Sequence, residues 1–223
     1  MVKSINLYNS FNVESKHKGS IILIGNFDGI HLGHQKLFDL AKKYKRKYSL
    51  KIGVLTFEPM PKMYFNKEIK NFRISNKKQK INLLQKYNVD FVITKKFNRL
   101  FSKTKSTDFI KKILAKKINP KFIFVSNNFR FGNNRDGDVK QLIKYQNECG
   151  FKIVKPKPLL TNKKVISSSL IRNYLQKGKL DKANKLLKRN WSIEGIVQKG
   201  KQLGKKIGFP TANIDIRDYI LAC

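Results

Sequence analysis

The 223-residue chain is 40% apolar and 11% aromatic, which excludes a disordered polymer and suits one large domain, or one domain and part of another. No apolar run approaches the roughly 20 residues that cross a bilayer, and Met1 to Ser20 holds no secretory apolar segment. Forty-nine basic residues stand against 14 acidic ones, formally +35, which raises the question of a polyanion partner.

Only 8 of the basic residues are arginines and 41 are lysines, scattered over the chain among abundant Asn and Ile. That mixture is what an AT-rich coding sequence produces, so compositional bias is favoured over a nucleic-acid or membrane partner. The field would still attract small anionic substrates. Cys149 and Cys223 make no disulfide framework, and a reducing cytoplasm is the expected location.

Residues 1–19 are polar and unpatterned and read as a lead-in. Ile21-Ile22-Leu23-Ile24 has no alternation and predicts a strand covered on both faces. Gly25 and Gly29 permit a tight turn after it. A helix over about 31–48 follows, with Leu32, Leu37, Leu40, Ala41, Tyr44 and Tyr48 at approximate helical spacing. His31 and His34 then share one face of its first turn, where free N–H groups and the dipole suit a phosphate. The pair is not read as zinc ligands, because His17 is the only other histidine and neither cysteine has metal-site spacing.

A second strand over 51–57 runs into Glu58-Pro59-Met60-Pro61, where two prolines end the pairing and fix an extended loop. Ser75 is the expected cap of a helix carrying Ile81, Leu83 and Leu84, and 91–93 a third strand. Ser106 or Thr107 would cap the next helix, and Phe122 to Val125 forms a fourth strand. A polar loop, Ser126 to Gly137, precedes a helix from Asp138 that Gly150 ends. A fifth strand lies at 151–154. Residues 167–189 read as helical, capped by Ser167 or Ser168 and broken at Gly178. Trp191 to Val197 alternates like a strand, and Gly200, Gly204 and Gly208 punctuate the segment after it. A domain boundary is placed near Asn190. Strands alternating with amphipathic helices predict a parallel α/β sheet, with ligands beyond the carboxyl ends of its strands.

Five segments, in order along about residues 20–213, resemble the bacterial FAD synthetases (FMN adenylyltransferases), a branch of the nucleotidyltransferase superfamily. They are Gly25-Asn26-Phe27-Asp28-Gly29-Ile30-His31-Leu32-Gly33-His34, Thr56-Phe57-Glu58-Pro59-Met60-Pro61, the loop from Val125 to Asp138, Ile166-Ser167-Ser168-Ser169-Leu170-Ile171-Arg172, and Gly195 to Asn213. Ser126 departs from the family's glycine, and Ser169 stands in for its threonine. Usual members are bifunctional riboflavin kinase/FAD synthetases.

The resemblance implies a Rossmann-like, parallel-sheet nucleotidyltransferase domain over 1–189. It implies an incomplete β-barrel segment, the start of a riboflavin kinase domain, over 190–223. It implies AMP transfer from ATP to FMN, giving FAD and pyrophosphate, with Mg²⁺ accompanying ATP. Phosphorylation of riboflavin is the second activity of full-length relatives. His31, His34, Asn128 and Arg172 would serve catalysis. Gly25, Phe27, Asp28, Gly29, Gly33, Ser168 and Ser169 would bind ATP. Phe57, Pro59, Pro61, Phe131 and Arg135 would hold the flavin. Gly204, Gly208, Thr211 and Asn213 would serve the kinase segment, the last two also for Mg²⁺. The alternatives are another nucleotidyltransferase of the superfamily, a basic nucleic-acid-binding protein, or a degraded gene product without turnover. The two-proline loop and the Asn128-to-Gly132 segment argue against the first.

Overall fold

The computed structural model describes residues 4–198, 208–209 and 211–221. Its strands and helices, in chain order, are β1 (Asn6–Tyr8), β2 (Ile21–Ile24), α1 (Leu32–Tyr48), β3 (Ile52–Glu58), α2 (Pro61–Phe65), α3 (Lys77–Lys86), β4 (Phe91–Lys96), α4 (Arg99–Ser102) and α5 (Ser106–Asp108). The last widens into a π-helix over Phe109–Ile118. Then come β5 (Phe122–Phe124), β6 (Arg130–Phe131), β7 (Gly137–Asp138), α6 (Val139–Tyr145), β8 (Lys152–Val154), β9 (Leu160–Thr161), β10 (Lys164–Val165), α7 (Ser168–Gln176), α8 (Leu180–Leu187), β11 (Val197–Gln198) and β12 (Asn213–Ile214).

Six strands form one parallel sheet in the order β1-β4-β3-β2-β5-β8. The four residues of β2 show why its apolar run is unbroken. Ile22 and Ile24 enter one core and Ile21 and Leu23 the other, and all four are buried. The chain leaves β2 toward β3 on one side and reaches β5 on the other. Loops at such a reversal diverge and open a crevice at the carboxyl ends of the strands.

Several expectations are corrected. Residues 1–19 include the edge strand β1, paired with Phe91–Ile93. Three half-exposed residues give no apolar run to read. Beside it His17 is buried, stacks on Phe91 at 4.2 Å and meets the Tyr8 hydroxyl at 2.7 Å. Asn76, not Ser75, caps α3, in a reciprocal capping box with Gln79. Lys105 precedes α5, so neither Ser106 nor Thr107 is its cap; the Ser106 hydroxyl instead donates to Asp136 at 3.0 Å. The two-proline segment is not wholly extended. Glu58–Pro59 is a cis bond, and Pro61 opens α2, where a missing N–H costs nothing. Of Trp191 to Val197 only Val197 lies in a strand. Trp191 is held instead by the Asn184 side chain, which accepts from its backbone N–H, and by its indole N–H on the Ile74 carbonyl. Residues 167–189 are α7 and α8, parted at Gly178 with φ +63°.

The stretch 71–74 runs beside 217–220. Arg73 N–H donates to the Asp218 carbonyl and Ile220 N–H to the Arg73 carbonyl, both at 2.8 Å. Tyr219 and Ile220 are buried there, Ile220 in a third core with Ile74 and residues of α7 and α8.

Candidate active site

The turn between β2 and α1 is bent by three residues of positive φ, Phe27 (48°), Gly29 (77°) and Ile30 (40°). Left-handed backbone in a non-glycine residue costs about 1–2 kcal/mol, so such a turn persists only where neighbours hold it. Here five side chains do so, four of them from distant elements. Ser75 Oγ accepts from Gly29 N–H at 3.2 Å. Ser168 Oγ donates to the Asp28 carbonyl at 2.9 Å. Arg189 donates to the Gly29 carbonyl at 2.7 Å, and Gln35 to the Ile30 carbonyl at 2.9 Å. Thr56 Oγ1 lies 3.5 Å from the Asn26 carbonyl.

The Asp28 carboxylate points inward and is 1% exposed. It accepts from Ile74 N–H at 3.1 Å, from Ser75 N–H at 3.2 Å and from Arg172 at 2.6 Å. Arg172 also donates to the Phe72 carbonyl at 2.7 Å and lies over the Phe72 ring at 3.7 Å. The guanidinium expected on a substrate phosphate is thus braced on the turn.

His31 precedes the first turn of α1, and His34 lies on it. The rings stack with centroids 3.7 Å apart at 21°. Both Nδ1 atoms are buried without a hydrogen-bond partner among the described residues. Burial pushes the pKa of His31 down to about 4. Burial, and then the charge of His31, pushes His34 well below the usual imidazole range. Both rings are therefore neutral at pH 7, and each offers one N–H. Gly33 leaves room for them, since a Cβ there would sit 3.1 Å from the His31 ring. Phe27 packs beneath His34 at 5.0 Å and is fully buried. Gly25 faces that ring, which lies 3.3 Å from where its Cβ would be.

A cavity of about 390 Å³ opens beside the ends of β3 and the loop after β5. Phe57, Pro61, Phe131 and Arg135 line it, and Pro59 does not. Sequence reasoning missed Phe65, Phe97, Phe101 and Phe109, which complete its walls. Phe57 stacks on Phe101 at 5.4 Å, and Phe129 on Phe131 at 5.4 Å. The one available signal was the density of phenylalanine, 16 in the chain. Flat rings on several sides suit a flat aromatic ligand. Asn128 and Ser169 are exposed, one on the loop after β5 and the other at the start of α7. Gly208, Thr211 and Asn213 are exposed in the C-terminal segment. Gly204 lies outside the described residues.

Comparison with known proteins decides the family. The FAD synthetase family model matches residues 13–170, more than half of the chain. The chain belongs to the FAD synthetase family. The riboflavin kinase model matches residues 187–222. Relatives named bifunctional riboflavin kinase/FMN adenylyltransferase include one from Buchnera aphidicola subsp. Schizaphis graminum, 39% identical over 94% of this chain and 67% of its own length. Those of Escherichia coli K12 and Bacillus subtilis 168 are 35% and 32% identical, over 93% and 94% of this chain, each matched over 66% of its own length. The chain thus spans about two thirds of these relatives. A solved Streptococcus pneumoniae structure, described as a macrolide-efflux protein, matches all of this chain and 72% of its own, with TM-score 0.78 and 26% identity. Among the described residues no helix of this FAD synthetase family member is long and apolar enough to cross a membrane.

Proposed function

We propose that the chain is an FMN adenylyltransferase, joining ATP and FMN into FAD and pyrophosphate. We place this activity in residues 1–189 and read 190–223 as the beginning of a riboflavin kinase domain. The observation that carries the proposal is the aromatic cavity at the same sheet end as the two-histidine turn. β2, which supplies the turn, lies between β3 and β5, which lead to the cavity walls. A nucleotide triphosphate at the turn and a flavin in the cavity would meet at their phosphates.

The FMN phosphate is an anion at neutral pH, so it attacks without a strong base. One of its oxygens bonds to the α-phosphorus of ATP, and the bond to the β-phosphate bridging oxygen breaks. Pyrophosphate leaves with that electron pair. Positioning and charge stabilisation then supply the catalysis. The neutral imidazoles of His31 and His34 donate N–H groups to phosphate oxygens, and an approaching anion favours their protonated forms. Ser168 and Arg172 hold the turn, and exposed Asn128 and Ser169 are free to reach substrate. Mg²⁺ would arrive on ATP, held by phosphate oxygens and water. Among the described residues no three His, Cys, Asp or Glu side chains converge on a metal position, and each step above uses the chain's own groups.

The test is to incubate the protein with ATP, Mg²⁺ and FMN and separate the flavins by chromatography. FAD is expected from the wild type, and His31→Ala should lower its rate on the order of a hundredfold, as for loss of one oxyanion donor. Wild-type protein that makes no FAD would refute the proposal.

A further inference from the structure

Lys80 is a cation in a costly place. It lies one turn into α3 and the residue is 4% exposed, and among the described residues no hydrogen bond or ion pair joins its ammonium, whose nitrogen is not one of the fully sealed polar atoms. A largely desolvated ammonium without a counter-ion is costly, and a chain can carry one where an anion arrives to meet it.

Helix side chains lean toward the N-terminus of their helix. Just before α3, the backbone of Ile74 and Ser75 grips Asp28, and the Ser75 hydroxyl meets Gly29. Lys80 therefore leans toward the histidine turn. The charges that reach it come from every element around it: Asp28 on the turn, Glu58 at the end of β3, Arg73 on the strip before α3, Lys77 on its own helix and His34 on α1. Both carboxylates are already taken. Arg172 binds Asp28, and Arg73 grips Glu58 with both terminal nitrogens. Among the described residues, Lys80 is the cation beside them that neither carboxylate pairs. Burial also holds its pKa below the ordinary lysine value, which is the same desolvation cost seen from the proton's side.

Resting on the ATP-site reading above, we infer that Lys80 is a further phosphate-binding residue of adenylyl transfer. Its charge is felt by Asp28 on the turn, by His34 on α1 and by Glu58 at the end of β3, and phosphate oxygens held there would meet it. The reaction must bring two anions together, the FMN phosphate and the triphosphate. A desolvated cation at their junction offsets that repulsion more strongly than a solvated one.

The experiment compares wild type, Lys80→Met and Lys80→Arg in FAD formation, in calorimetric binding of pyrophosphate and in thermal melting. Lys80→Met should melt higher by about 2 °C or more, because a surplus buried charge is gone. Its kcat/KM and its pyrophosphate affinity should each fall about tenfold or more. Lys80→Arg should recover most of the affinity. It should also stay active at alkaline pH, where the wild type declines as Lys80 loses its proton. Pyrophosphate binding by Lys80→Met as tight as by wild type would overturn the inference. So would a Lys80→Met protein that melts lower or does not fold. Absence of FAD from the wild type would refute the adenylyltransferase reading alone, because the pyrophosphate titration still decides Lys80.

Discussion

At the scale of single residues, the Asp28–Arg172 pair shows how a side chain can serve a site by holding it. The two lie 144 positions apart, and both are largely buried. Removing one partner of a buried pair leaves the other charge uncompensated. Asp28→Asn, close in size, should therefore destabilise the fold by roughly 3 kcal/mol in urea titration; a loss under about 0.5 kcal/mol would mean that solvent screens the pair. His31 makes a second prediction. Its pKa is depressed to about 4 in the fold, against 6.5 for a free imidazole. The unfolded chain then binds a proton first as pH falls. Stability should be full above about pH 6.5 and decline below it, levelling near pH 4, with a loss on the order of 3 kcal/mol from this group. His31→Gln should flatten that part of the acid limb in melts run from pH 7 to pH 4. An unchanged limb would show that the imidazole is already charged when folded.

At the scale of elements, the β2–α1 turn is held from outside, and its glycine should behave unlike others. Gly29 and Gly150 share the left-handed region, at φ +77° and +71°. A Cβ on Gly29 would lie 2.7 Å from Ile74 Cγ2, whereas nothing lies within 4 Å of one on Gly150. Gly150→Ala should cost only the conformational term, about 1 kcal/mol. Gly29→Ala should cost about 1–3 kcal/mol more, since Ile74 cannot move without loosening Asp28. Equal melting temperatures for the two variants would contradict this account. The main strands and α1 were legible because a sheet buried on both faces demands continuous apolar runs, and a helix on a sheet demands a 3.6-residue period. β1 was hidden because an edge strand of three half-exposed residues needs neither. The cap of α3 was misplaced by one residue because Ser75 and Asn76 are both good caps, and Gly29 claims the serine.

At the scale of the whole molecule, the C-terminal segment is tied to the body of the protein. The Tyr219 hydroxyl lies 2.7 Å from Gln79 Oε1 and accepts from Glu194 N–H at 3.1 Å, joining 194 and 219 to α3. Tyr219→Phe removes the donor to Gln79 Oε1, which keeps the Asn76 N–H, and the acceptor of Glu194 N–H, so it should lower stability by about 1 kcal/mol, with faster proteolytic cleavage within residues 190–198. Cleavage at the wild-type rate would show that the hydroxyl does not hold the segment. By itself the sequence determined the parallel α/β architecture, the two-histidine turn before α1 and the order of the five motifs. Each of these is written in neighbouring residues, as an apolar run, a period or a spacing. Only the tertiary structure decided that Arg172 braces Asp28, that Phe97, Phe101 and Phe109 close the aromatic cavity, that the Lys80 side chain is buried with no ion pair among the described residues, and that Tyr219 returns to α3. Those pairings are chosen by packing and desolvation between distant segments, and no local pattern encodes which distant group a side chain will meet.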